Sequence, residues 1–227
     1  MQPNNNLLIV DARHNGPPGS GNGGWTSGLI AASITEGVPE VTLQKPPPLE
    51  SPMTVVKTAE GLRVIDSSDV IIATARSRED DIPPVPAVPY AEAEAASASY
   101  LGFSRHPFPS CFVCGPQRSD GLRIFPGHLA DGRTAATFTP SESIDAVTVW
   151  AALDCPGGWT VITGEHPWVL GRMAAIVDEL PEPHTECVIV GQQVSVSGRK
   201  ALVRTSLYGP AGKIMGRAEA TWIALPV

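Results

Sequence analysis

The chain has 227 residues, 42% hydrophobic and 17% charged, a balance that supports a packed core and argues against disorder. Its net charge of −7 and pI near 5.2 come without a basic cluster interleaved with aromatics, which sets a nucleic-acid partner aside. The longest apolar runs, such as Leu7–Val10 and Val70–Ala73, fall far short of the roughly 20 residues of a membrane span. From the N-terminus, the first predicted element is a helix over Gly23–Thr35, where Leu29, Ile30 and Ile34 lie close to helical spacing and Gly37 and Pro39 stop it. Strands are expected at Val41–Lys45, Met53–Thr58, Leu62–Ile65 and Val70–Ala75. Ile82–Pro89 then reads Ile-Pro-Pro-Val-Pro-Ala-Val-Pro and is followed by an Ala/Glu/Ser run over Ala91–Ser99. Proline-rich chain stiffens into spacers and cannot continue a sheet interior, so the division expected is 1–80, a linker over 81–100, and 101–227.

The second half repeats the order of the first. Gly23-Gly24-Trp25-Thr26 recurs as Gly157-Gly158-Trp159-Thr160, at an offset of 157 − 23 = 134 residues. A short helix is expected from Gly157, with strands near Val169–Val177, Cys187–Val194, Ala201–Tyr208 and Lys213–Ile223. In the last strand Ile214, Gly216, Ala218, Ala220 and Trp222 share one face, the period-two pattern of an antiparallel strand covered on one side. Ala59-Glu60-Gly61 and Pro210-Ala211-Gly212 are read as matching hairpin turns. The fold class is therefore α+β, with one helix and an antiparallel sheet in each half. No basic-then-apolar leader opens the chain and four cysteines are too few for a disulfide framework, so a cytoplasmic protein with free thiols is expected.

A helix against a curled antiparallel sheet, doubled in tandem, resembles the double hot-dog fold. Cys111-Phe112-Val113-Cys114-Gly115-Pro116 with Asp120-Gly121-Leu122-Arg123-Ile124-Phe125 resembles the opening of thioesterases of the phenylacetate-pathway type. Asn22-Gly23-Gly24 is similar to the His-Gly-Gly that begins their central helix. Asp154-Cys155-Pro156-Gly157 resembles the Asp-x-x-Gly that precedes that helix in the 4-hydroxybenzoyl-CoA thioesterase branch. The resemblance implies an acyl-CoA-like substrate, no metal, and no cofactor beyond the CoA moiety of that substrate. It also implies a site between two hot-dog units, and allows a further pairing into a homodimer.

Thioester hydrolysis needs a carboxylate to attack or to activate water, and donors for the developing oxyanion. Gly23-Gly24 and Gly157-Gly158, read as helix starts, would supply unpaired amides; close helix–sheet packing is the plainer reading of each pair. Asp154 is the first carboxylate candidate, weighed evenly against an N-cap ahead of a helix. Its counterpart in the first half, Ser20, cannot serve as a carboxylate. Glu165 is the second candidate, although Gly164 before it and His166-Pro167 after it favour a loop. Asn22, where the family has His, fits a cap better than a ligand contact. Arg199 with Lys200, Arg172 and Arg204 offer positive charge for CoA phosphates. His14 is read as structural, and Trp25, Trp159 and Trp168 as core or interface. The Cys111-x-x-Cys114 pair lacks a second ligand pair for zinc; His106 or His128 could complete it, but the resemblance explains the pair without metal, so none is expected. A non-catalytic acyl-CoA-binding protein on the same fold is the alternative, and a hot-dog hydratase ranks behind both.

Overall fold

The computed structural model describes residues 6–163 and 166–226. After β1 (Leu7–Leu8), helix α1 (Gly23–Ala31) begins at Asn22, whose side chain accepts the Trp25 N–H at 2.8 Å. The helix is shorter than Gly23–Thr35. Beyond Ala31 the bonds tighten to Ser33 N–H to Ile30 O and Ile34 N–H to Ala31 O, a closing turn rather than a further α-turn.

Strands β2 (Val38–Leu43), β3 (Met53–Thr58), β4 (Gly61–Ile65) and β5 (Ile71–Arg78) follow within a few residues of the expected spans. Gly61 closes the β3–β4 turn at φ 133°, where a Cβ would stand 2.2 Å from Ala75 O, so no other residue fits. Helix α2 (Tyr90–Ala98), then β6 (Gly127–His128) and β7 (Thr134–Phe138), precede the longest helix, α3 (Ala146–Gly158). Strands β8 (Trp168–Val177), β9 (Cys187–Ser197), β10 (Lys200–Tyr208) and β11 (Ile214–Ala224) complete the chain.

All eleven strands form one sheet in the order β1-β3-β4-β5-β2-β8-β11-β10-β9-β7-β6. Read outward from the centre, β2-β5-β4-β3-β1 mirrors β8-β11-β10-β9-β7. The two halves are thus the same unit related by a pseudo-two-fold axis. It passes where β2 and β8 pair antiparallel, with Val41 opposite Met173. This equivalence corrects the pairing of turns: the β3–β4 turn corresponds to the β9–β10 hairpin, whereas Pro210–Gly212 joins β10 to β11. A charged row ties the halves together across the seam. Glu40 is buried and meets Arg76 at 2.8 Å and Arg78 at 3.6 Å; Arg78 reaches Glu219 at 3.1 Å, and Glu219 meets Arg204 at 2.9 Å.

Helices α1 and α3 lie on one face of the sheet and α2 on the other. Alternation within β7 and β9 separates the two layers: Ala136, Ile189 and Cys187 join the core with α3, while Ala135, Val188 and Val190 face α2. The Pro-rich stretch between the halves lies along this second layer. Ile82 and Val85 are fully buried, and Val85 N–H donates to Ser206 Oγ at 2.9 Å.

The second helix does not start at Gly157. Asp145 caps it, accepting the Thr148 N–H at 2.8 Å, and Gly157 and Gly158 are its last two residues. The sequence repeat therefore marks the beginning of one helix and the end of the other. The run Val147-Thr148-Val149-Trp150 is β-branched and aromatic, and Pro156 stands inside the last turn, so neither propensity nor punctuation announces a helix. Burial overrides both, because residues 148–158 are all buried, as a helix enclosed on every side must be.

Candidate functional site

Helix α1 packs against α3 through its glycines. A Cβ on Gly24 would stand 2.5 Å from Asp154 Cβ and 2.7 Å from Trp150 O, and one on Gly28 2.9 Å from Trp150 Cβ. Two glycines one turn apart let the backbones approach, and this brings the amino end of α1 onto the last turn of α3. There Gly24 N–H donates to Asp154 Oδ2 at 2.8 Å, and Asn22 Nδ2 approaches the same oxygen at 3.4 Å.

Asp154 is therefore not an N-cap of its own helix. It stands in the C-terminal turn of α3, 2% exposed, and caps the neighbouring helix. Its other oxygen, Oδ1, is buried with no hydrogen-bond partner among the described residues. Burial pushes the Asp154 carboxyl up to about 7, against the pull of the Gly24 amide and the Asn22 side chain, which favour the carboxylate.

Three amides open the first turn of α1. Gly24 is taken by Asp154, Trp25 by the Asn22 side chain, and Gly23 N–H has no partner among the described residues. Asn22 is thus both the cap and a second contact to Asp154.

These groups open onto a cavity of about 410 Å³. Asn22, Gly23 and Asp154 form its polar end. Leu170, Trp159, Trp168, Trp222 and Ile162 form an apolar wall, and the loop carrying His106, Phe108, Cys111 and Cys114 closes another side. Gln44 and Lys45, exposed after β2, stand on its rim with the prolines that follow them.

The remaining expected residues are dispersed. Gly157 and Gly158 offer no helix start; Cβ atoms there would stand 2.6 Å from Thr205 Oγ1 and 2.4 Å from Trp222, so they let the end of α3 lie flat on the sheet. Glu165 lies outside the described residues. Arg199 sits in the exposed β9–β10 turn and donates to Ala224 O at 3.4 Å; it does not line the cavity. Arg204 is held by Glu219, and Arg172 by Thr42 Oγ1 at 3.0 Å in a separate polar groove. His14 stacks on Trp25 at 3.6 Å between centroids and packs edge-on to Phe112, and burial lowers its pKa. Lys45 is among the lining residues missed from sequence, where it reads only as the end of a strand.

No protein-family model matches the chain, and no curated protein matches it in sequence. Solved structures do match in fold. A conserved hot-dog-fold protein of unknown function from Alicyclobacillus acidocaldarius superposes with a TM-score of 0.61 at 13% identity, over 97% of this chain and 93% of its own. The tesB protein of Mycobacterium avium subspecies paratuberculosis gives 0.60 at 13%, over 97% and 92%. A candidate thioesterase of Novosphingobium aromaticivorans gives 0.61 at 13%, over 97% and 95%. With its mirrored strand order and its two helices on one face, the chain is a tandem, double hot-dog fold.

Proposed function

We propose that the protein is an acyl-CoA thioesterase in which Asp154 is the general base and Gly23 N–H the oxyanion donor. One observation carries this reading: a buried carboxylate bonded through one oxygen to a helix amino end, its other oxygen unpartnered among the described residues, lines a largely apolar cavity beside the Gly23 amide. The acyl chain lies against Trp159, Trp168 and Leu170. Asp154 accepts a proton from a water that attacks the thioester carbonyl, and the developing oxyanion is held by Gly23 N–H and the positive end of the α1 dipole. When the C–S bond breaks, the proton on Asp154 passes to the departing CoA thiolate, leaving the carboxylic acid and free CoA. Lys45 on the rim faces the phosphates. The candidate thioesterase of N. aromaticivorans and the tesB protein share this fold, which accords with the reading.

Release of CoA from a panel of acyl-CoAs, followed with a thiol-trapping reagent, tests the proposal. Asp154→Asn should lower kcat about 10²- to 10⁴-fold, the usual contribution of a positioned base. Full activity in that variant removes Asp154 from the chemistry. A second reading rests on the Gly24–Asp154 bond, which also suits a carboxylate whose task is to hold α1 against α3. That favours a non-catalytic acyl-CoA-binding protein, and tight binding of the panel without turnover selects it.

A further inference from the structure

Beside Asp154, three cysteines distant in sequence come together. Cys111 and Cys114 belong to the loop that closes the cavity, and Cys155 to the last turn of α3; all three are buried and free. Their sulfur atoms lie within 4.8 Å of one another, with Cys111 Sγ and Cys155 Sγ 4.0 Å apart. Zn–S bonds of about 2.3 Å in a tetrahedral site place sulfur ligands roughly 3.8 Å apart. The cluster already has nearly those dimensions.

What surrounds the sulfurs is a shell of hydrogen-bond donors. Cys111 and Cys114 are held on one tight Cys-x-x-Cys-Gly turn. Gly115 N–H closes that turn on Cys111 O at 2.9 Å, and a Cβ on Gly115 would stand 2.5 Å from Cys111 N and O. Asn22 Nδ2 approaches Cys111 Sγ at 3.9 Å. His106 Nδ1 accepts the Phe108 N–H at 2.9 Å, which leaves Nε2 to carry the ring proton, 3.3 Å from Cys114 Sγ. These contacts orient the Cys111 and Cys114 sulfurs, and three sulfurs packed this closely offer a cation three ligand atoms at once.

We propose that Cys111, Cys114 and Cys155 form a three-thiolate site for a soft divalent cation of the zinc class, with the fourth coordination position turned to the cavity. Thiolates select zinc over magnesium or calcium, and three protein ligands with one open position is the arrangement of zinc sites that also take an exogenous ligand. His106 is an outer donor to the Cys114 sulfur. The cavity carries all three cysteines on one wall, next to Asp154. The expectation of no metal rested on the family resemblance and on the lack of a second local ligand pair, and the third sulfur is 155 − 114 = 41 residues beyond the first two. Metal uptake here is measured without reference to thioester turnover, so its failure and the failure of the thioesterase reading are distinguishable.

Cobalt(II) titrated into reduced, metal-free, full-length protein tests it. One equivalent should bind with sulfur-to-cobalt charge-transfer absorption and the intense visible bands of a tetrahedral ion, both lost when zinc is added. Zinc should protect three of the four thiols from alkylation. Cys155→Ser should remove one of the three sulfur contributions, His106→Phe should weaken binding about tenfold or more, and Cys187→Ser should change neither. Wild-type protein alone decides the matter should a variant fail to fold. A wild type with all thiols reduced and no charge-transfer band overturns the proposal. So does a band unchanged in Cys155→Ser, or a Cys111–Cys155 disulfide forming in place of metal uptake.

Discussion

Gly24→Ala tests how closely the two helices must meet for the site to exist. Alanine is ordinarily the better helix former, by up to about 1 kcal/mol. Here its methyl would stand 2.5 Å from Asp154 Cβ, 2.7 Å from Trp150 O and 3.0 Å from Ala151 Cα, and two of these are backbone atoms that cannot swing away. Overpacking of this kind costs about 1–3 kcal/mol. Moving α1 outward also stretches the Gly24 N–H to Asp154 bond, and a hydrogen bond to a charged group is worth about 1.5–3 kcal/mol. Set against the propensity gain, the net loss is about 2–4 kcal/mol, to be read from the urea midpoint at unchanged slope. Gly28→Ala is the internal comparison. Its nearest obstacle is Trp150 Cβ at 2.9 Å and it breaks no bond to Asp154, so its loss should be smaller. A Gly24→Ala protein as stable as wild type, or less perturbed than Gly28→Ala, refutes the argument that α1 is held at its closest possible approach.

Two further outcomes follow from charges placed on the rim and the seam. Lys45→Glu should raise KM for acyl-CoA roughly fivefold, about 1 kcal/mol for one exposed phosphate contact, with little change in kcat. The difference should shrink in high salt, and steady-state kinetics at two ionic strengths checks it. Arg78→Ala leaves buried Glu40 and half-buried Glu219 without the cation between them and should cost about 1–3 kcal/mol by chemical denaturation.

The strands were the legible part of this chain. Alternating apolar residues, as in Ile214 to Trp222, and the Gly61 turn report period-two structure directly, and most boundaries agree within a few residues. The central helix of the second half was not legible. Its β-branched opening and internal Pro156 argue against a helix, and only enclosure by the sheet on one side and α1 on the other makes it one. The repeated Gly-Gly-Trp-Thr misplaced it because the same glycines serve two different close approaches, helix to helix at Gly24 and helix to sheet at Gly158.

The site divides in the same way. Asp154, Asn22, Gly23 and Gly24 stand out in sequence and meet in space, but the bond that joins them spans 130 residues and has no local signal. Arg199 stood out through charge alone, and charge does not tell whether its end of the strand lies beside the cavity. Lys45 read as the end of a strand and Cys155 as part of the Asp-x-x-Gly stretch, because each acquires its neighbours only in the folded chain.

The most direct measurement is a crystal structure with a 2-oxoalkyl-CoA, a non-hydrolysable analogue in which a methylene separates the carbonyl from the sulfur, read as the distance from the carbonyl oxygen to the Gly23 amide. The account predicts hydrogen-bond contact of about 3 Å there, with the reacting carbon facing Asp154 and the nucleotide leaving past Lys45. An analogue bound at the Asp145 end of α3, or in the polar groove beside Arg172, contradicts it.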